Sequence, residues 1–185
     1  MVIEMKAIET ALTLTKAYKF AIERFEKMLG KEFASAVTLM NKTSEHIIVC
    51  GMGKSGLVGR KISSTLASTG TPSIFLHPAE AIHGDLGKVQ KKSVVLLISY
   101  SGETGEILAL IPALKRLNVT IIALTGVKKS TLASKADIIL DMSVDREACP
   151  LNLAPTTSTM ITMVLGDALA VGLMELKNFK QEDFA

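Results

Sequence analysis

The sequence has few of the residues that mark nucleic-acid binding. Its 185 residues include no Trp, two Tyr and six Phe, which argues against base stacking on aromatic side chains. The net charge is only +3, and the densest basic clusters are the pairs Lys91-Lys92 and Lys128-Lys129. Because a polyanion needs a broader basic face than these pairs offer, we expect no nucleic-acid partner.

Signals for secretion and membrane insertion are also scarce. Cys50 and Cys149 are the two cysteines, and they form neither a disulfide framework nor a CxxC metal-binding motif. Residues 1–12 carry three charged side chains, so they do not form the apolar region of a signal peptide. The apolar segment Met160–Met174 is interrupted by a Gly-Asp pair and is too short to span a bilayer. The sequence therefore predicts a cytoplasmic protein with reduced thiols and no membrane partner.

The hydrophobic pattern changes from helical to strand-like after the first 42 residues. Helical spacing predicts helices over Ile3–Leu29 and Lys31–Met40, and another over Thr157–Leu176. Continuous rather than alternating apolar runs are typical of strands buried on both faces of a parallel sheet. We predict an α/β fold, a doubly wound five-stranded parallel sheet flanked by helices, as one domain over 1–185 with a helical segment at about 1–42. The predicted strands are His46–Cys50, Ser73–Leu76, Val94–Ser99, Thr120–Leu124 and Asp137–Leu140.

A glycine-rich turn follows the first predicted strand, with the sequence GMGKSG from Gly51 to Gly56. It matches GxGxxG, but the second strand ends in Leu-His-Pro without the carboxylate that a dinucleotide ribose needs. The phosphate-loop motif is also incomplete, because it requires a glycine where Ile48 stands. Two readings stay open: a tight strand-to-helix turn, or a small-anion site using backbone N–H groups, Lys54 and Ser55.

A second polar loop, from Ser99 to Glu106, joins the third strand to the next helix. Ser99, Ser101 and Thr104 with two glycines at a helix N-terminus would hold a phosphate by hydrogen bonds. Helix capping is the simpler alternative, although one hydroxyl is enough for it. Glu106 falls in the first helical turn, where a carboxylate also suits the helix dipole.

Further polar residues precede the last helix and lie between the strands. Thr156, Thr157 and Ser158 either cap the long helix or close over a ligand. Glu147 follows the fifth strand. His83 and Asp85 share one loop, Glu80–Gly87, but one His and one Asp are a weak metal ligand set, so we predict no metal site.

These motifs together resemble the sugar isomerase (SIS) domain family and, within it, the D-arabinose 5-phosphate isomerases. The resemblance extends over nearly the whole chain from about residue 40. The SGET loop is typical of the broad SIS class, and the HGDLG and EACPLNLAPTTST segments carry the narrower assignment. The segments that carry it are GMGKSGLVGRK, ASTGTPSIFLHPAEAIHGDLG, SYSGETGEILALIP, EACPLNLAPTTSTM and GDALAV.

The resemblance implies reversible conversion of D-ribulose 5-phosphate and D-arabinose 5-phosphate, which supplies Kdo for lipopolysaccharide. It implies a sugar-phosphate ligand, no cofactor, and a homotetramer whose subunits share active sites. Family members commonly continue beyond the position of Ala185 into a segment with a further active-site histidine, and many carry a pair of CBS modules. Carried over by position, the catalytic residues are Lys54, His83, Glu106 and Glu147, and the phosphate-binding residues are Ser55, Ser99, Ser101, Thr104, Thr156, Thr157 and Ser158.

Aldose–ketose isomerisation through an enediol needs a carbon base and stabilisation of an oxyanion. Glu147 is our first candidate for the base and Glu106 the second. Lys54 would stabilise the enediolate, and His83 would assist ring opening or proton transfer between hydroxyls. Two alternatives remain at this point: a non-catalytic SIS domain that senses a sugar phosphate, and an isomerase of another ketose phosphate.

Overall fold

Two helices precede an alternating series of strands and helices in the computed structural model, which describes residues 2–184. Met1 and Ala185, at the ends of the predicted ranges 1–42 and 1–185, therefore lie outside the described residues. The side chain of Val2 is also not described. Two short 3-10 helices occupy Asp85–Lys88 and Gln181–Asp183. The helices are α1 (Val2–Met28), α2 (Lys31–Lys42), α3 (Gly53–Ser68), α4 (Pro78–Ile82), α5 (Gly105–Arg116), α6 (Thr131–Lys135) and α7 (Thr157–Leu176), and the strands are β1 (Ile47–Gly51), β2 (Ser73–Leu76), β3 (Val94–Ile98), β4 (Thr120–Thr125) and β5 (Ile138–Asp141).

The five strands form one parallel sheet in the order β2-β1-β3-β4-β5, which confirms the predicted fold class. The strand order changes direction between β1 and β3, where Gly51 pairs with Ile98. In doubly wound sheets, ligands bind at such a switch point, beyond the carboxyl ends of the strands. The glycine-rich turn and the SGET loop both leave the sheet at this point.

Each predicted strand agrees with the structure to within one residue at either end. The predicted loop Glu80–Gly87 differs, because it contains the end of α4 and most of a 3-10 helix. Pro78 occupies the first turn of α4, where its fixed φ favours a helix and its missing N–H costs no hydrogen bond. This helix therefore begins upstream of the residues that suggested a loop.

Helices cover both faces of the sheet and produce two hydrophobic cores. Alternate side chains of one strand enter different cores, as Leu96 and Leu97 of β3 do. The first core contains α1, α2, α3 and α7, and the second contains α4, α5 and α6. Continuous apolar strands are explained by burial on both faces.

By length and composition alone, α7 is a helix that could cross a membrane. It is longer than the apolar segment recognised in the sequence, since it runs for 20 residues. Its residues Ile161, Leu165, Leu169 and Leu173 are buried in the first core. Packing inside the protein thus accounts for part of the apolar composition of α7, whose Val171 and Leu176 are more than half exposed.

The N-terminal half of α1 extends beyond the rest of the protein. Ala21 and Phe25 are the first buried residues along this 27-residue helix. Further towards the N-terminus, Ile3, Ile8 and Leu12 are more than half exposed. This part of α1 presents apolar side chains that nothing in the described chain covers.

Candidate active site

A cavity of about 340 Å³ lies at the carboxyl end of the sheet. Ser55 lines it from the first turn of α3, directly after β1, and Tyr100 from the loop after β3. Glu147 and Ser158 line it from the segment after β5 and from α7. Residues from three predicted motifs therefore meet here, at the switch point of the sheet.

The loop after β3 is organised by its own hydroxyl groups. The hydroxyls of Ser99 and Thr104 lie 2.8 Å apart, and the amide of Gly102 donates to the Ser99 hydroxyl at 3.1 Å. Ser101 accepts from the amide of Glu103. Although Thr104 occupies the N-cap position of α5, its side chain makes no capping hydrogen bond. The Ser99 and Thr104 hydroxyls thus contact each other, and Ser99 and Ser101 accept amides of the loop itself.

Gly102 allows this loop to approach α6 closely. Its φ is +68°, and a Cβ atom there would lie 2.0 Å from the hydroxyl of Ser130. Glu103 accepts the amide of Thr131 at 2.7 Å. This backbone hydrogen bond, with a side-chain hydrogen bond from the same residue, lowers the pKa of the Glu103 carboxyl.

Glu147 is fixed by hydrogen bonds at the N-terminus of α7. Its Oε2 atom accepts the Thr156 amide at 2.7 Å, the Thr156 hydroxyl at 3.1 Å and the Ser158 amide at 3.2 Å, while Oε1 accepts the Ser158 hydroxyl. Partial burial raises the pKa of the carboxyl, but the hydrogen bonds from Ser158 and Thr156 outweigh burial and lower it. Glu147 is therefore held as an ionised acceptor.

The third hydroxyl cluster contacts the protein itself. The hydroxyls of Thr156 and Ser158 donate to Glu147, and that of Thr157 accepts the amide of Ala148 at 2.9 Å. Thr157 and Ser158 are buried. The Glu147 carboxylate, not these hydroxyls, accepts amides at the start of α7, and Ser158 also lines the cavity.

The other predicted catalytic residues lie outside this cavity. Lys54 lines a separate cavity of about 400 Å³ with Arg60 and His77, although Ser55 beside it faces the first. His83 follows α4 and Glu106 lies in the first turn of α5, and both are exposed. One chain thus brings Ser55, Glu147 and Ser158 together and leaves Lys54, His83 and Glu106 apart from them.

Residues that no sequence motif singled out hold the segment carrying Glu147 in place. The Tyr100 hydroxyl accepts the Val144 amide at 3.2 Å, which links the loop after β3 to the segment after β5. Arg24 of α1 forms an ion pair with Asp145 and donates to Ser143 at 3.2 Å. No sequence pattern identifies these contacts, because the partners lie 44 or more residues apart.

The chain is similar to curated proteins over most of its length. Arabinose 5-phosphate isomerase KdsD of Pseudomonas aeruginosa is 54% identical over 165 residues, 89% of this chain and 51% of that protein. For KdsD of Francisella tularensis, the identity is 47% over 92% of this chain and 54% of that protein. The chain thus spans about half the length of these curated relatives.

Solved structures match over nearly the whole chain. The Escherichia coli CFT073 protein c3406, in complex with arabinose 5-phosphate, has a TM-score of 0.94 and 41% identity over 97% of this chain and 96% of that chain. The Vibrio vulnificus NanR protein, complexed with ManNAc-6P, is 18% identical with a TM-score of 0.76, over 96% of this chain and 65% of that chain, which shows a shared fold alone. The SIS domain model matches residues 40–172, and the chain therefore belongs to the SIS domain family.

Proposed function

We propose that this chain interconverts D-arabinose 5-phosphate and D-ribulose 5-phosphate through an enediol intermediate. The observation that carries the proposal is the hydroxyl-lined site at the β1/β3 switch point, on a chain 41% identical to a protein solved with arabinose 5-phosphate. The names of the KdsD relatives support the same reaction. We place the reaction in the cytoplasm, at the start of Kdo and lipopolysaccharide synthesis.

The substrate phosphate would bind to the loop after β3. Ser101 is exposed there, and Thr104 is half-buried at the N-terminus of α5. Ser55, in the first turn of α3, lines a cavity together with Tyr100, the residue before Ser101. Hydroxyls and helix N-terminal N–H groups stabilise a phosphate dianion without a fixed cation. The segment of Thr156, Thr157 and Ser158 would border the sugar.

The reaction moves one proton between neighbouring carbons. A base removes the C2 proton of the open-chain aldose, and an enediol forms as the carbonyl oxygen gains a proton. Return of a proton to C1 and loss of the O2 proton give the ketose. Lys54 would stabilise the developing oxyanion, and His83 would transfer hydroxyl protons. Glu106 and Glu147 are the carboxylates available as the carbon base.

A homotetramer with shared sites would bring the separated residues together. Lys54, His83 and Glu106 face solvent or another cavity in one chain, so a neighbouring subunit could complete each site. The exposed apolar part of α1 supports assembly, since an isolated helical extension gains little stability on its own. An apolar groove of about 650 Å³ between α2 and α7, lined by Phe33, Val37 and Val171, offers a second contact face.

Isomerase assays on the purified chain test this proposal. D-Arabinose 5-phosphate would be supplied and ribulose 5-phosphate measured, with arabinose lacking the phosphate and a six-carbon ketose phosphate as comparison substrates. Turnover of the five-carbon phosphate alone supports the assignment. Binding without turnover would instead support a sensor, and preference for the six-carbon substrate would support a different isomerase.

A further inference from the structure

The two candidate carbon bases occupy opposite environments. Glu106 is exposed, and its carboxylate receives no hydrogen bond or ion pair from the residues described between 2 and 184. Glu147 receives four hydrogen bonds. A general base needs a lone pair that can reach the proton, and donors that bind the ionised form make a carboxylate a weaker base.

The contacts of Glu147 satisfy a structural need of α7. The first amides of a helix have no acceptor within the helix. Thr156, at the N-cap of α7, makes no side-chain capping hydrogen bond. Glu147 supplies the missing acceptor for the amides of Thr156 and Ser158 from nine and eleven residues earlier in the chain.

The segment between Glu147 and α7 forms part of the cavity wall. Asn152 and Leu153 of this segment line the cavity, and the Asn152 side chain accepts the Glu147 amide at 2.7 Å. The segment has no regular secondary structure, so these hydrogen bonds fix its shape. A change at Glu147 is therefore transmitted to the wall against which a substrate would lie.

Resting on the isomerase function proposed above, we propose that Glu147 is a positioning residue that anchors this wall to α7, and that Glu106 is the carbon base. Glutamine at position 147 separates the two roles. Its amide oxygen would accept the three donors that now bind Oε2, and its NH2 group would donate to the Ser158 hydroxyl, which can rotate to accept. Glu147→Gln thus keeps the hydrogen bonds that hold the cavity wall to α7 and removes the carboxylate that could act as a base.

The test is kcat and KM for D-arabinose 5-phosphate from pH 5 to 9 in three variants. Glu147→Gln replaces hydrogen bonds to a carboxylate by weaker ones to a neutral amide, so it should lower kcat by no more than about tenfold. The shape of the pH profile should stay unchanged. Glu147→Ala should lower kcat about 100-fold through misplacement of the wall. Glu106→Gln should lower kcat by about 10² to 10⁴ with KM nearly unchanged.

Asp137→Asn is the matched control, because Asp137 also accepts a backbone amide, that of Ile121, but at the amino end of β5. Its kcat should equal that of the unchanged protein. A fall of 10² or more in Glu147→Gln, or loss of the acid limb of its pH profile, would overturn the proposal. So would a Glu106→Gln variant that remains active.

Amide hydrogen exchange separates this inference from the proposed isomerase function. The amides of Thr156 and Ser158 should stay protected in the unchanged protein and in Glu147→Gln, and should exchange faster in Glu147→Ala. Equal protection in all three proteins would refute the anchor, whether or not the sugar phosphate is turned over. An inactive unchanged protein would refute the isomerase and with it the role of Glu106.

Discussion

Individual hydroxyl groups carry the proposed phosphate site. The Ser99 side chain is buried and bonds both the Thr104 hydroxyl and the Gly102 amide. We expect Ser99→Ala to raise KM for the sugar phosphate about tenfold, since the loop loses hydrogen bonds that fix its shape. Steady-state kinetics measure this change. Ser134→Ala, which removes an exposed hydroxyl bonded only to Thr131 within α6, is the control and should leave KM unchanged.

The lowered pKa of Glu147 predicts a pH dependence of stability. Because the native carboxylate binds its proton less readily than the unfolded chain does, its contribution is present above the ordinary pKa of 4.5 and is lost as pH falls through the native value. Glu147→Gln should therefore lower the free energy of unfolding more at pH 7 than at pH 3.5. Denaturant titrations at both pH values measure the loss of unfolding free energy in this variant. An equal loss at the two pH values would contradict the assigned cause.

The sequence indicated which residue types gather at this site, but not their bonds. Ser55, Glu147 and Ser158 could be expected near one another because their loops follow strands of the same sheet. The hydrogen bonds of Glu147 could not be predicted, because they depend on the path of an irregular segment with no periodicity. The contact between Tyr100 and Val144 was hidden for the same reason, as was the separation of Lys54 from Ser55.

At the scale of elements, the contact between α3 and α7 depends on a glycine. A Cβ atom at Gly166 would lie 2.3 Å from Cγ1 of Ile62, a buried residue of α3. Gly166→Ala should destabilise the protein by about 1–3 kcal/mol through overpacking. Chemical unfolding measures the loss. An unchanged free energy of unfolding would show that the two helices are not closely packed.

Gly172 is the matched control on the same helix. A Cβ atom there would meet Val37 at 3.7 Å, an ordinary van der Waals distance. Gly172→Ala should leave stability unchanged or raise it by up to about 1 kcal/mol, because alanine restricts the unfolded chain and favours a helix. A large loss at both positions would point to a general need for flexibility in α7.

Elements with strong hydrophobic patterns were predictable, and short ones were not. The five strands are apolar runs bounded by polar turns, and α7 is a long helical pattern, so both agree closely with the structure. By contrast, α4 has five residues, too few to show a helical period. Its start is marked by Pro78 alone, within a sequence that otherwise resembles a loop.

For the whole molecule, the exposed stripe on α1 predicts subunit contacts. Ile8 and Leu12 are one helical turn apart and are 62% and 55% exposed. In the proposed tetramer, charged residues there, as in an Ile8→Glu, Leu12→Glu double variant, should separate the subunits and lower activity, since burial of apolar surface is lost. Sedimentation velocity and activity at one protein concentration measure both effects. A double variant with the same sedimentation coefficient as the unchanged protein would show that this stripe is not an interface.

Thr10→Glu provides the control for that experiment. Thr10 lies on the other side of α1 from Ile8 and Leu12, and its hydroxyl bonds only the Lys6 carbonyl. This variant should keep the size and activity of the unchanged protein. The apolar residues of α1 could be recognised in the sequence. Only the folded structure shows that those in its N-terminal half are exposed.

Proton NMR in deuterated water tests whether this chain isomerises a five-carbon sugar phosphate through an enediol, because the intermediate loses the C2 proton. The chain would be incubated with D-arabinose 5-phosphate while the C2 proton signal is followed. We predict that this signal decays as ribulose 5-phosphate appears, and that Glu106→Gln slows both changes by about 10² to 10⁴. A C2 proton signal that stays constant, with the sugar phosphate bound, would rule out enediol isomerisation by this chain.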